Sequence, residues 1–190
     1  MERVNGLGPG PDGKLRCAWG LSAPEYVRYH DEEWGWPSAE EIPLFEKLCL
    51  EGFQSGLSWL TILKKREAFH EAFDGFEIRR VARFTAARRE RLMKNAAIIR
   101  NRQKIEAAVE NGRRIQKLQK THGSFKSWLD AQHPLTKAEW VKLFKSHFVF
   151  TGGEITGEFL LSTGYLPGAH VEHCPVYAKI LVARPPWLVR

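Results

Sequence analysis

Long apolar runs are the first thing missing from this chain of 190 residues. No stretch of eighteen residues is apolar enough to cross a membrane, and the opening MERVNGLGPGPDGK has no basic-then-apolar order of the kind that directs export. A cytoplasmic protein without a membrane partner is the expectation. Cysteine is scarce too: Cys17, Cys49 and Cys174 are too few and too dispersed for a disulfide framework, which leaves burial or metal binding. Strand-like alternation and internal repeats are absent, and the one biased tract is GLGPGPDG at residues 6–13. What is present is 43% apolar residue, enough to exclude disorder, and a net charge of +7. That charge suits an anionic partner, most commonly nucleic acid, or an ordinary solvated basic face.

The start signals along the chain are helical. Ser22-Ala-Pro-Glu25, Ser38-Ala-Glu-Glu41 and Thr136-Lys-Ala-Glu139 each read as a capping box ahead of an apolar periodic stretch. Leu44, Phe45, Leu48 and Cys49 share one helical face; after a break at Gly56, Leu60, Leu63, Phe69, Ala72 and Phe73 share another. Further helices are predicted over 86–95, 101–120, 124–131, 137–146 and 152–163, the last closed by Gly164. An all-α protein follows, with one domain at 15–180 and loose tails at 1–14 and 181–190.

Three constellations could carry chemistry. Cys17 and His30 lie near one end of the chain, His170, His173 and Cys174 near the other. His170 and Cys174, at i and i+4, would share a face of a helical turn, and a thiolate and an imidazole from each end would complete a tetrahedral zinc site. Neither pair has a common finger spacing, so the residues alone leave open that these are unrelated core thiols and surface histidines. The second constellation is aromatic: Trp19, Tyr26, Tyr29, Trp34 and Trp36 crowd the first third, and Trp59 follows the isolated acid Glu51 by two turns. Several flat faces near one carboxylate suit a cationic or electron-poor ring; the alternative is a set of core aromatics and an acid paired with an arginine. The third is NAAIIRNRQK at 95–104, where Ile98 and Ile99 could anchor a short helical hairpin with Arg100, Arg102 and Lys104 facing outward. The helix start of its second arm would offer free amides to a phosphate, whereas an ordinary solvated helix surface explains these residues and Lys64, Lys65 and Arg66 equally well.

Taken together, CAWGLSAPEYVRYHDEEWGWP, FEKLCLEGFQSGLSWLTILKKREAFHEAF, IIRNRQKI and FVFTGG with HVEHC resemble the 3-methyladenine DNA glycosylase I family, from about Arg16 to Tyr177. The resemblance implies a helix-hairpin-helix fold of two helical lobes, with a structural zinc joining the N- and C-terminal segments through Cys17, His30, His170 and Cys174. His173 has no counterpart among those ligands. Glu51 and Tyr29 fall on the residues that act on the base, and Trp19, Trp34 and Trp59 on the aromatic walls. The implied partner is double-stranded DNA with alkylated bases, bound by a monomer through Gly56, Leu57, Lys64, Arg100, Arg102 and Lys104. The implied reaction is monofunctional hydrolysis of the N-glycosidic bond of 3-methyladenine. Many helix-hairpin-helix glycosylases carry an aspartate after the hairpin, but none occurs here between Asp74 and Asp130, as in the adenine-specific branch.

The chain departs from the pattern in places. Gly152-Gly153-Glu154 and Gly157-Glu158 stand where the family has a threonine or proline and a tyrosine, and Ala96-Ala97 where a glycine is common in the hairpin. Rival readings are a non-catalytic zinc-stapled DNA-binding protein and a hydrolase whose zinc activates water.

Overall fold

The computed structural model describes residues 6–189. Among them the chain forms ten α-helices and one two-stranded hairpin, and it divides into two compact units, one made of both chain ends up to Ser38 and from Leu160, the other of Ala39–Phe159.

The larger unit contains α2 (Glu41–Gln54), α3 (Trp59–Ala72), α4 (Ile78–Val81), α5 (Ala86–Lys94), α6 (Arg102–His122), α7 (Phe125–Gln132), α8 (Lys137–His147) and most of α9 (Gly153–Ser162). Leu44, Phe45, Leu48, Cys49, Leu50 and Phe53 are all buried, so α2 is a core helix covered on most sides. Phe53 packs against Phe69 at 4.6 Å, and Phe73 stacks on Phe76 at 5.5 Å. A Cβ at Gly112 of α6 would meet Phe45 at 3.3 Å and the Ala82 backbone at 3.4 Å, so the glycine permits the close approach of the segment after α4. A second aromatic cluster, Phe125, Trp128, Phe144, Phe148 and Phe159, fills the space among α7, α8 and α9.

Of the three expected capping boxes only Thr136 with Glu139 forms. α2 starts later than the Ser38 signature suggests, with Glu40 at its N-cap. The reason is Pro43: a start at Ser38 would bury its missing N–H in the helical ladder, whereas the observed start puts it in the first turn, where no N–H needs a partner. α1 (Pro24–Glu32) likewise starts with Pro24 at its first position after Ala23, and Ser22 closes the preceding 3-10 turn instead. Ser58, Thr85, Asn101 and Ser124 are the side chains that cap α3, α5, α6 and α7.

In the unit of the chain ends, the expected loose tails are packed in their described parts. Leu7–Pro9 (β1) pairs antiparallel with Leu15–Cys17 (β2), and Leu7 packs against a cluster containing Cys17, Cys174, Val176 and Ile180. Gly13, at φ 73°, makes the turn, and a Cβ at Gly10 would strike the Arg16 guanidinium at 2.4 Å. The glycines that read as disorder are what let this short hairpin close. At the other end α10 (Pro175–Val182) is followed by Trp187, which stacks on Tyr177 at 6.5 Å and donates its backbone N–H to Gly164 O. No helix is long and apolar enough to cross a membrane among the described residues.

Candidate metal centre, acid site and nucleic-acid interface

Cys17 ends β2, His30 lies in the last turn of α1, His170 in the loop before α10, and Cys174 at its N-cap. All four are buried, and one donor atom of each lies within 4.8 Å of the others. His30 Nε2 is 3.2 Å from His170 Nδ1 and 3.5 Å from Cys174 Sγ; His170 Nδ1 is 3.7 Å from Cys17 Sγ and 3.9 Å from Cys174 Sγ. These spacings are close to the edges of about 3.3 to 3.8 Å of a thiolate and imidazole tetrahedron around a small divalent ion. The rings are also oriented for it. His30 Nδ1 donates to Asp31 Oδ1 at 2.8 Å and His170 Nε2 to the Trp34 carbonyl at 2.7 Å; both partners can only accept, so each ring turns the lone pair of its other nitrogen toward the centre, where His30 Nε2 also accepts from the Cys17 backbone N–H at 3.3 Å. The group can therefore hold a metal ion. His170 and Cys174 meet through turns and not on a helix, and His173 is exposed outside the group.

A chain of charge holds this centre from the hairpin side. Arg16, itself buried, donates to both carboxylate oxygens of Asp12 at 2.6 and 2.9 Å and to those of Asp31 at 2.8 and 3.0 Å. The guanidinium of Arg16 holds the Asp31 carboxyl below its ordinary range against the opposing effect of burial, keeping it an acceptor for His30.

The aromatic crowd of the first third assembles around Trp19. Its ring lies 6.1 Å from Tyr26, 6.5 Å from Tyr29 and 5.7 Å from Trp34, mostly edge to face. Tyr29 and Trp34 are buried, and Trp34 is fixed by its N–H donating to Ala169 O at 2.7 Å.

Glu51 lies in the other unit on α2, at 3% exposure. Burial pushes its carboxyl up to about 8, opposed by Lys47 one turn earlier and reinforced by Glu158. No arginine is among those neighbours. The acid that does take an arginine is Glu46, bound by Arg66 at 2.8 and 3.1 Å. Lys47, also buried, sets its ammonium 5.2 Å from the centroid of the Trp59 ring at the start of α3. Lys47 escaped the sequence reading, although its i, i+4 spacing to Glu51 in an apolar helix was a usable signal.

The turn between α5 and α6 is built as a compact support. Ala97 N–H donates to Asn95 Oδ1, Asn101 caps α6, Ile98 is buried, and Lys65 donates to Ala97 O at 3.0 Å. Arg100 is exposed. Arg102 is half-exposed and held by Glu90. Lys104 does not face outward: it is buried, donating to Phe53 O at 2.9 Å and Ser55 O at 2.5 Å, where it satisfies carbonyls at the end of α2. Just beyond, Gly56 at φ 79° turns the chain and Leu57 is an exposed apolar side chain. Lys64 is exposed on α3. Phe150, exposed and at φ 59°, is a further strained aromatic beside a cavity of about 350 Å³ shared with Ser55, Lys145 and Ile155. Of the departures, Glu154 reaches Lys137 at 3.9 Å, and Lys137 also fills the space a side chain at Gly157 would occupy.

A family model described as methyladenine glycosylase matches residues 19–142. The chain belongs to the methyladenine glycosylase family. Among curated members, DNA-3-methyladenine glycosylase of Haemophilus influenzae is 37% identical over 179 residues, 84% of this chain and 96% of the relative. DNA-3-methyladenine glycosylase 1 of Escherichia coli is 36% identical, over 85% of this chain and 96% of its own length. The solved 3-methyladenine DNA glycosylase I of Staphylococcus aureus, a structure concerned with 3-methyladenine recognition, shares the fold at a TM-score of 0.77 and 35% identity, covering 85% of this chain and 96% of that one. The methyladenine glycosylase match includes Glu51, Tyr29 and Trp59 and stops short of Cys17, His170 and Cys174.

Proposed function

We propose that this chain excises 3-methyladenine from alkylated double-stranded DNA by hydrolysing the N-glycosidic bond of a base turned out of the helix. It is a DNA-3-methyladenine glycosylase, a hydrolase acting on N-glycosyl bonds. The observation that carries this reading is Glu51, a buried acid whose charged influences are Lys47 and Glu158 and include no arginine, Lys47 itself lying over the Trp59 ring. Methylation at N3 makes adenine cationic and a good leaving group. A cation beside Glu51 stabilises its carboxylate, which accepts from the exocyclic amine, while Trp59 supplies an aromatic face. A neutral adenine gains less from the same groups and keeps a stronger glycosidic bond.

Water is the nucleophile. No aspartate lies between Asp74 and Asp130 to assist it, and Lys104, the buried lysine of the hairpin segment, is occupied by two carbonyls and unsuited to a Schiff base. Catalysis therefore lies in recognition of the extruded cation. Arg100, Arg102 and Lys64 contact phosphates, the α5–α6 helix-hairpin-helix offers backbone amides, and Gly56 and Leu57 fill the gap left by the base. Lys104 supports that loop from within. The metal is zinc, held by Cys17, His30, His170 and Cys174. Four protein ligands leave no position for water, so its role is to staple the two ends of the chain. The protein works as a cytoplasmic monomer. Chromatography of bases released from methylated duplex DNA tests this: 3-methyladenine should appear in solution, and binding without release would make the chain a DNA-binding protein only.

A further inference from the structure

Lysine is rarely buried unless something compensates its charge. Lys47 is 7% exposed, its ammonium faces the Trp59 ring at 5.2 Å, and Glu51 follows on the next turn of the same helix. A π face with a carboxylate nearby is the environment that a cationic purine would seek. In chemical terms, the side chain of Lys47 stands in for the substrate's charge.

We infer that Lys47 is a resident cation that yields its place over Trp59 to the charged base of the substrate and drives out the product. The inference rests on the glycosylase reading and deepens it. Cleavage breaks the bond between C1′ and the base and leaves its electron pair on the base, which loses its formal positive charge. Water oxygen bonds to C1′ and its proton passes to solvent. The released base is then a neutral ring competing with an ammonium for a π face, and the ammonium has the advantage. Lys47 thus exchanges like for like with a cationic base on entry, and disfavours the neutral base that remains after chemistry.

The test uses the full-length protein, methylated duplex DNA and free 3-methyladenine as inhibitor. Lys47→Met keeps the length and removes the charge; Lys47→Arg keeps the charge. In the Met variant, inhibition by free 3-methyladenine should strengthen by about tenfold, and steady-state turnover should fall relative to the single-turnover rate, while the Arg variant behaves like wild type. Equal inhibition of the Met variant and wild type overturns the inference. So does parallel loss of inhibition, single-turnover rate and melting temperature, which would make Lys47 a packing residue, and Lys47→Gln repeats the comparison should the Met variant not fold. A wild type that releases no base at all removes the glycosylase reading and this inference with it. Base release with unchanged inhibition removes only the inference.

Discussion

The Cys/His group of the chain ends and the acid of α2 are both buried, yet they are finished to opposite degrees. At the centre each imidazole has its outer nitrogen fixed, by Asp31 and by the Trp34 carbonyl, and Arg16 in turn fixes Asp31. At Glu51 the nearest influences are a lysine that helps, a glutamate that opposes and a burial cost that neither offsets, leaving the carboxyl up at about 8. A site with its outer polar atoms satisfied is suited to holding something permanently. One left electrostatically unfinished is suited to a visitor that brings the missing charge.

The largest expected effect falls on the finished site. Cys17→Ser should lose the metal and with it much of the fold of the chain-end unit, read as metal content by elemental analysis and as a drop in melting temperature of several degrees or more. Full metal occupancy in that variant would remove Cys17 from the ligand set. A smaller effect should come from the interface: Arg100→Glu should weaken binding to abasic DNA by roughly a few fold and lower its salt dependence. The same change leaving the salt dependence of binding untouched would take the α5–α6 turn off the DNA.

Legibility in the sequence followed the range of the forces involved. Helix spans were readable because they rest on local periodicity: the expected 137–146 and 152–163 are observed as Lys137–His147 and Gly153–Ser162. The gathering of Cys17, His30, His170 and Cys174 was not legible from spacing, because Cys17 and His170 meet across a separation of 153 positions. Lys104 was misread as outward-facing since nothing local marks a lysine whose partners, Phe53 and Ser55, lie about fifty positions earlier. The N-terminal tract was misread for a related reason: its glycines and prolines resemble disorder until Arg16 and the packing of Leu7 close the hairpin. The capping boxes failed where a proline a few residues on imposed its own register.

Glu51→Gln tests the central claim most directly, because function and stability are expected to move apart. In the folded chain the carboxyl titrates near 8, well above its ordinary range near 4.5, so the native state holds the proton more tightly than the unfolded one. Stability contributed by the protonated form is full below pH about 4.5 and declines as pH rises toward 8, where the unfolded chain ionises freely and the folded one does not. A neutral glutamine escapes that decline. Release of 3-methyladenine from methylated DNA by Glu51→Gln should fall by at least about tenfold, while the melting temperature of the variant at pH 7 should equal or exceed that of wild type. A variant that melts lower and loses base release and abasic DNA binding in proportion would contradict the account and return Glu51 to the core as a structural acid.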